Sequence, residues 1–183
     1  ALAGATAFFL SLLLSGRLIR FLKARSVFED TRNPDAEPLA ALHGRKPPTP
    51  TMGGLAILAS TGGAVLLWGA VGNVYVAICV FVGFALGVLG FCDDWIKLRA
   101  KLSGSGRRGL SKRGKLLGQF AVGLAAGLML WWHTRDAGFG QRVYLPFFKD
   151  VSIHLGWGIA LWTAFVVALT SNAVNITDGL DGL

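Results

Sequence analysis

Along the chain, long apolar runs without charge alternate with shorter polar stretches that hold nearly all the Lys, Arg, Asp and Glu. Ala1 to Ser15 is the first apolar run. No charged residue occurs between Lys46 and Asp93, an interval far too long for one crossing of about 20 residues. Two helices are therefore needed, and Gly72-Asn73 marks the break, giving spans at about 52–71 and 74–92. Apolar runs at about 116–132 and 155–171 follow, so the pattern predicts an all-α, polytopic membrane protein. Residues 1–183 then form a single membrane domain with about five transmembrane helices. A barrel would instead show short alternating segments.

The connections differ in character. After Ser15, Arg17, Arg20, Lys23 and Arg25 alternate with apolar residues, as in a helix leaving the membrane along its basic side. His43 to Pro50 holds too many prolines to be helical, and Gly104, Gly106 and Gly109 loosen the 93–115 connection. Residues 133–154 are polar with few charges and suit a short hairpin around Tyr144 to Phe148. Gly83 and Gly87, and again Gly123 and Gly127, are spaced four apart, which lets membrane helices approach closely.

Composition agrees with this reading. The hydrophobic fraction is 53%, the charged fraction 15% and the mean hydropathy +0.55, values that do not suit a soluble domain. A net charge of +8 could suggest nucleic acid, but no soluble segment interleaves aromatic and basic residues, so nucleic-acid binding is not expected. The basic residues instead orient the chain. Of the 18 Lys and Arg, seven lie in 16–50, eight in 93–115 and three in 133–154. The positive-inside rule makes 16–51 and 93–115 cytoplasmic loops and 133–154 an extracytoplasmic one. Trp68, Trp95, Trp131, Trp132 and Trp157 fall near predicted helix ends, as an aromatic belt requires. Cys79 and Cys92 lie in apolar runs and imply no disulfide. The first run is followed rather than preceded by basic residues, which argues against a cleavable signal peptide. The chain stops at Leu183 within what reads as a motif, so it is taken as a fragment.

Three stretches meet at the cytoplasmic face in this topology. Asp93-Asp94 ends an apolar run, where an aspartate at the centre of a membrane helix would cost roughly 2.5 to 3.5 kcal/mol and one at a helix C-terminus opposes the macrodipole. The pair is either a solvated helix end or a ligand for something positive. Asn172, Asn175, Asp178 and Asp181 recur every third residue, turning back by about 60° per step, so a regular helix cannot put all four on one face. Gly179 and Gly182 let the backbone break, and an ordinary polar cap is the alternative. Lys46 alone reads as a positive-inside lysine. Together the three stretches offer hard oxygens, amides and a cation, which suits Mg²⁺ with a phosphorylated or pyrophosphorylated substrate. Zinc does not fit, because His43, His133 and His154 are scattered. No Walker loop, nucleophile elbow or kinase signature is present.

These residues resemble the phospho-N-acetylmuramoyl-pentapeptide transferases, a branch of the polyprenyl-phosphate sugar-1-phosphate transferases. The likeness is carried by His43 to Gly54, Gly90 to Lys97, Gly109-Leu110-Ser111 to Gln119, and Asn172 to Leu183; Thr49 to Gly54 selects the muramoyl branch. The resemblance implies about ten spans in a complete member, placed in the bacterial inner (cytoplasmic) membrane with the active face cytoplasmic. It implies transfer of phospho-MurNAc-pentapeptide from UDP-MurNAc-pentapeptide to undecaprenyl phosphate, giving lipid I and UMP in peptidoglycan synthesis. Carried onto this sequence, Asp93 and Asp94 are catalytic and hold Mg²⁺, one of them orienting or deprotonating the lipid phosphate; which does which stays open. Lys46, Thr51, Asn172, Asn175, Asp178 and Asp181 bind substrate, and Lys97 attracts the anions. A homodimer is one assembly open to it.

Three departures stand out. Pro48 replaces a glycine beside Lys46, the 102–108 loop is longer than usual without a functional account, and a third carboxylate and a His-rich loop belong to the half not in this chain. The fragment is expected to be inactive alone. A sister enzyme loading N-acetylglucosamine phosphate is the nearest alternative, and a cation-coupled transporter a more distant one; a transporter would need acids at the midplane rather than at one face.

Overall fold

The computed structural model describes residues 1–24, 53–70, 72–103, 109–136, 140–145, 147–148 and 151–179. Helix accounts for 79% of the described structure, as an all-α membrane protein requires. The helices are α1 (Leu2–Ala24), α2 (Gly54–Trp68), α3 (Val74–Leu102), α4 (Lys112–Thr134) and α5 (Gly158–Gly179). A two-stranded ribbon, β1 (Arg142–Tyr144) and β2 (Ser152–His154), lies between α4 and α5 in sequence. Among the described residues three helices are long and apolar enough to cross a bilayer, at Leu2–Leu22, Val74–Ala100 and Lys112–Thr134; α2 and Gly158–Val174 are shorter apolar helices.

The packing is inverted relative to a soluble protein. Among the described residues the buried apolar side chains are mostly alanines, such as Ala126, Ala160 and Ala164, whereas Leu66, Leu117 and Leu169 are about 70% exposed, at 73%, 68% and 67%. A soluble monomer rarely leaves more than a few hundred Å² of contiguous apolar surface uncovered. Small residues inside and large ones outside is the arrangement that close helix packing in lipid favours.

The chain divides into two compact units, 1–69 with 94–107, and 70–93 with 108–183, with α3 contributing to both. In the first, α1 and α2 pack antiparallel: the Trp68 indole N–H donates to Thr6 Oγ1 at 3.0 Å, and Leu10 lies 3.7 Å from where a Cβ on Gly63 would stand. In the second, α3 runs antiparallel to α4, with Leu89 against Gly118 and the Tyr75 and His133 rings 5.7 Å apart. The α4–α5 pair is closest. A Cβ on Gly123 or Gly127 would stand 2.7 and 2.6 Å from the Cα atoms of Ala164 and Ala160, so only glycine permits this approach. Phe120 and Phe165 meet edge to face at 5.5 Å beside it.

Local chemistry explains the boundaries. Gly69 ends α2 by donating its N–H to the Val65 carbonyl, and Asn73 opens α3 with Oδ1 accepting from the Tyr75 N–H at 2.9 Å. The break anticipated at Gly72-Asn73 therefore lies between Trp68 and Val74. Ser111 caps α4, its Oγ accepting from Gly114 N–H at 3.1 Å.

Several element ends differ from the sequence reading. α1 is not among them, since it continues through the basic residues to Ala24 as their pattern indicated. α3 does not end at Asp93 but runs on to Leu102, so Asp93-Asp94 sits inside a helix and no macrodipole penalty applies. α5 starts at Gly158 and remains helical through Gly179, so the backbone does not break among Asn172, Asn175 and Asp178. Hydropathy marks where lipid ends; the helical hydrogen-bond ladder continues past that point wherever side chains cap or pack it.

Candidate functional site

The polar cluster of the second unit grows from the turn between α3 and α4. Gly109 has φ of 96°, in the left-handed region that favours glycine. This turn brings the Leu110 N–H to Asp93 Oδ1 at 2.8 Å and leaves Ser111 to cap α4. Asp93 is 6% exposed, and its Oδ2 lies 3.9 Å from Lys115 Nζ. A buried carboxylate survives only with such partners, because an isolated buried charge costs several kcal/mol. Gly109-Leu110-Ser111 thus has a local physical reason: it turns, donates and caps.

One helical turn beyond Lys115 stands Gln119, 2% exposed. Its Nε2 donates to Ser171 Oγ at 3.0 Å and its Oε1 accepts from Asn172 Nδ2 at 2.6 Å. Asn172 Nδ2 also donates to the Ala168 carbonyl at 2.7 Å. Both amide protons of Asn172 are engaged, so Oδ1 is the group this side chain can offer a ligand. Ser111, Lys115, Gln119, Gly123 and Gly127 follow at four-residue steps along α4, so cap, cation, amide and close-packing glycines form one ridge.

Asp94 and Lys97 lie on the portion of α3 grouped with α1 and α2. Their ion pair is 3.6 Å long, with side chains 29% and 41% exposed for Asp94 and Lys97 respectively. An exposed pair three residues apart on a helix contributes only about 0.3–0.5 kcal/mol. Consecutive helix positions diverge by about 100°, which is why Asp93 and Asp94 have different partners.

Of the residues predicted from sequence, Asp93, Asp94, Lys97 and Asn172 are placed as above. Asn175 and Asp178 belong to α5, with their side chains outside the described residues; Lys46, Thr51 and Asp181 lie outside them altogether. Among the described residues no three His, Cys, Asp or Glu side chains gather as a metal site. The donors present are nonetheless hard oxygens. Mg²⁺ takes one or two carboxylates with waters and phosphate oxygens, and Asp94, paired among the described residues with Lys97 and partly exposed, fits that role. Asp93 would first have to give up Leu110 and Lys115. Sequence reasoning missed Lys115 and Ser171 as partners in this cluster; the four-residue ladder from Ser111 through Gln119 was the available signal.

The chain belongs to the glycosyl transferase family 4, whose model matches residues 74–183. Across its whole length it is 41% identical to a phospho-N-acetylmuramoyl-pentapeptide-transferase of Salinibacter ruber (strain DSM 13855 / M31), covering 50% of that protein. It is 42% identical to one of the same name from Gemmatimonas aurantiaca (strain DSM 14586 / JCM 11422 / NBRC 100505 / T-27), again over 100% of this chain and 48% of the relative. The chain therefore spans about half the length of the curated relatives it matches.

Proposed function

We propose that this chain is part of an enzyme that transfers phospho-MurNAc-pentapeptide from UDP-MurNAc-pentapeptide to undecaprenyl phosphate, releasing UMP and forming lipid I. The observation that carries this reading is identity of 41–42% over the entire chain to two relatives bearing that transferase name. The reaction joins two phosphate-bearing partners, so their repulsion must be offset before an in-line approach. Mg²⁺ held by Asp94, with Asp93 and a carboxylate from beyond this chain as further candidates, supplies that neutralisation when bound. Lys97 and the basic 93–115 segment draw the anions toward the cytoplasmic face of the bacterial inner membrane. Lys46, Thr51, Asn175, Asp178 and Asp181 bind the nucleotide portion, and Asn172 offers its carbonyl to a donor on the substrate. One of the two adjacent aspartates orients or deprotonates the lipid phosphate, while Lys115 and Leu110 keep Asp93 buried and fixed. The whole enzyme is a multi-pass protein that can act as a homodimer.

The test follows UMP release by the full-length protein from UDP-MurNAc-pentapeptide, with undecaprenyl phosphate and Mg²⁺ supplied and UDP-N-acetylglucosamine run in parallel. Asp93→Asn and Asp94→Asn variants that keep their thermal transition are expected to lose about a hundredfold or more in rate. Wild-type rates in both would remove the aspartates from the mechanism, and turnover of UDP-N-acetylglucosamine alone would reassign the substrate.

A further inference from the structure

The ribbon between α4 and α5 plays no part in the chemistry above, yet its two faces differ sharply. In the register Arg142 opposite His154, Val143 opposite Ile153 and Tyr144 opposite Ser152, cross-strand partners share a face. Arg142, Tyr144, Ser152 and His154 therefore lie on one side, and Val143 and Ile153 on the other. The Leu145 N–H donates to the Val151 carbonyl at 3.1 Å, which adds these two residues to the apolar side. Three of the four residues on that side are left exposed by the described residues, Ile153 at 50%, Val151 at 46% and Leu145 at 37%, and Val143 is partly exposed. An isolated two-stranded ribbon is marginal at best in water, so an uncovered apolar face calls for a partner.

The tip is more exposed still. Phe147 is completely exposed, and its φ of 73° is a left-handed conformation that costs a bulky residue roughly 1–2 kcal/mol. Phe148 beside it is 62% exposed. Water gives no return for presenting two phenyl rings in this way.

The base of the ribbon fixes where that partner must be. Gln141, 7% exposed, donates through Nε2 to the Thr134 carbonyl at 3.4 Å and accepts from the Leu155 N–H at 2.9 Å. Gly140 packs so tightly on the Thr134 side chain that a Cβ would overlap it. The ribbon is thus tied to the last turn of α4. From Lys115 to Thr134 α4 rises about 29 Å, close to the hydrocarbon thickness of about 30 Å, so the tie point lies at a bilayer boundary. Trp132 and Trp157, 63% and 69% exposed, flank it, and the Arg135 guanidinium lies 4.1 Å over the Trp132 ring, as interfacial anchors do.

We propose that the ribbon is an interfacial membrane anchor. Val143, Leu145, Val151 and Ile153, with Phe147 and Phe148 at the tip, seat in lipid at the headgroup–acyl boundary, on the side of the bilayer opposite Asp93 and Lys115. Arg142, Ser152 and His154 face water. The contact holds the α4–α5 connection at fixed depth and covers the ribbon's apolar side without a second protein.

The experiment uses the full-length protein in vesicles of equal parts phosphatidylethanolamine and phosphatidylglycerol. A fluorophore is attached to single cysteines in a background where Cys79 and Cys92 are serine. Phe147→Cys and Ile153→Cys test the lipid side, and Ser152→Cys and His154→Cys the water side. Spin-labelled lipid is expected to quench the first pair at least about twofold more than the second, with aqueous iodide giving the reverse order, because adjacent strand positions face opposite ways. Equal quenching of both faces by either agent overturns the proposal. So does shielding of position 153 from both, which would mean that a second copy or another part of the chain covers the apolar side. All four positions are exposed or half-exposed, so labelling removes no core packing.

Discussion

Replacing Gln119 by methionine, which keeps the volume and removes both hydrogen-bonding groups, tests whether the α4–α5 cluster is a specific polar joint or incidental contact. Two interhelical bonds are lost, Nε2 to Ser171 at 3.0 Å and Oε1 from Asn172 at 2.6 Å. Interhelical side-chain bonds in membrane proteins average about 0.6 kcal/mol and reach about 1.7. Asn172 keeps its bond to the Ala168 carbonyl, and Ser171 can rotate its hydroxyl, so neither partner is left wholly unsatisfied. The sum is about 1–2 kcal/mol of stability. To isolate the Asn172 term, Gln119→Met, Asn172→Ala and the double variant of the full-length protein are unfolded by detergent titration in mixed micelles. The cycle should yield a coupling of about 0.5–1.5 kcal/mol, since the two side chains touch and share one bond. Additivity within about 0.3 kcal/mol would refute the joint, because that is the scatter of sites that do not interact. A second readout ties the joint to substrate: Gln119→Met frees the Asn172 amide to rotate, so KM for the UDP substrate should rise more than kcat falls.

The glycine pairs and the orientation of α4 give two further expectations. Gly127→Ala should destabilise the same protein by about 1–3 kcal/mol in that titration, because the new Cβ meets the backbone of Ala160 at 2.6 and 2.8 Å and backbone cannot step aside. Gly83→Ala, where the described residues leave nothing within 4 Å of the new Cβ, should stay within about 0.5 kcal/mol of wild type; equal effects at the two positions would remove the close-packing argument. Cysteines placed at Lys112, the first residue of α4, and Asp136, just past its end, should be labelled from opposite sides of the membrane by an impermeant thiol reagent, and same-side labelling would overturn the five-span topology. Asp136 suits labelling, being 93% exposed at its side chain.

What could be read from the sequence, and what could not, follows one physical division. Each of the five described helices coincides with an apolar run, since a span of lipid needs an uninterrupted apolar stretch and charge is driven out of it. The same signal misplaced helix ends, because it reports the lipid boundary and not the last hydrogen bond. Asp93-Asp94 reads as an end on hydropathy, yet α3 continues to Leu102. Gly109-Leu110-Ser111 was legible as a family motif, though its turn, its donor to Asp93 and its cap on α4 were not. Nor was the joint of Gln119 with Asn172, since its partners are 53 residues apart and nothing in either stretch names the other. This division bears directly on the aspartates. On a frayed end two adjacent carboxylates could swing onto one ligand; within a regular helix they are held about 100° apart. Asp93 turns to Leu110 and Lys115, and Asp94 turns to Lys97. The helix that the hydropathy pattern hid is therefore what gives two identical neighbouring residues unlike surroundings, and unlike surroundings are the condition for unlike roles in one reaction.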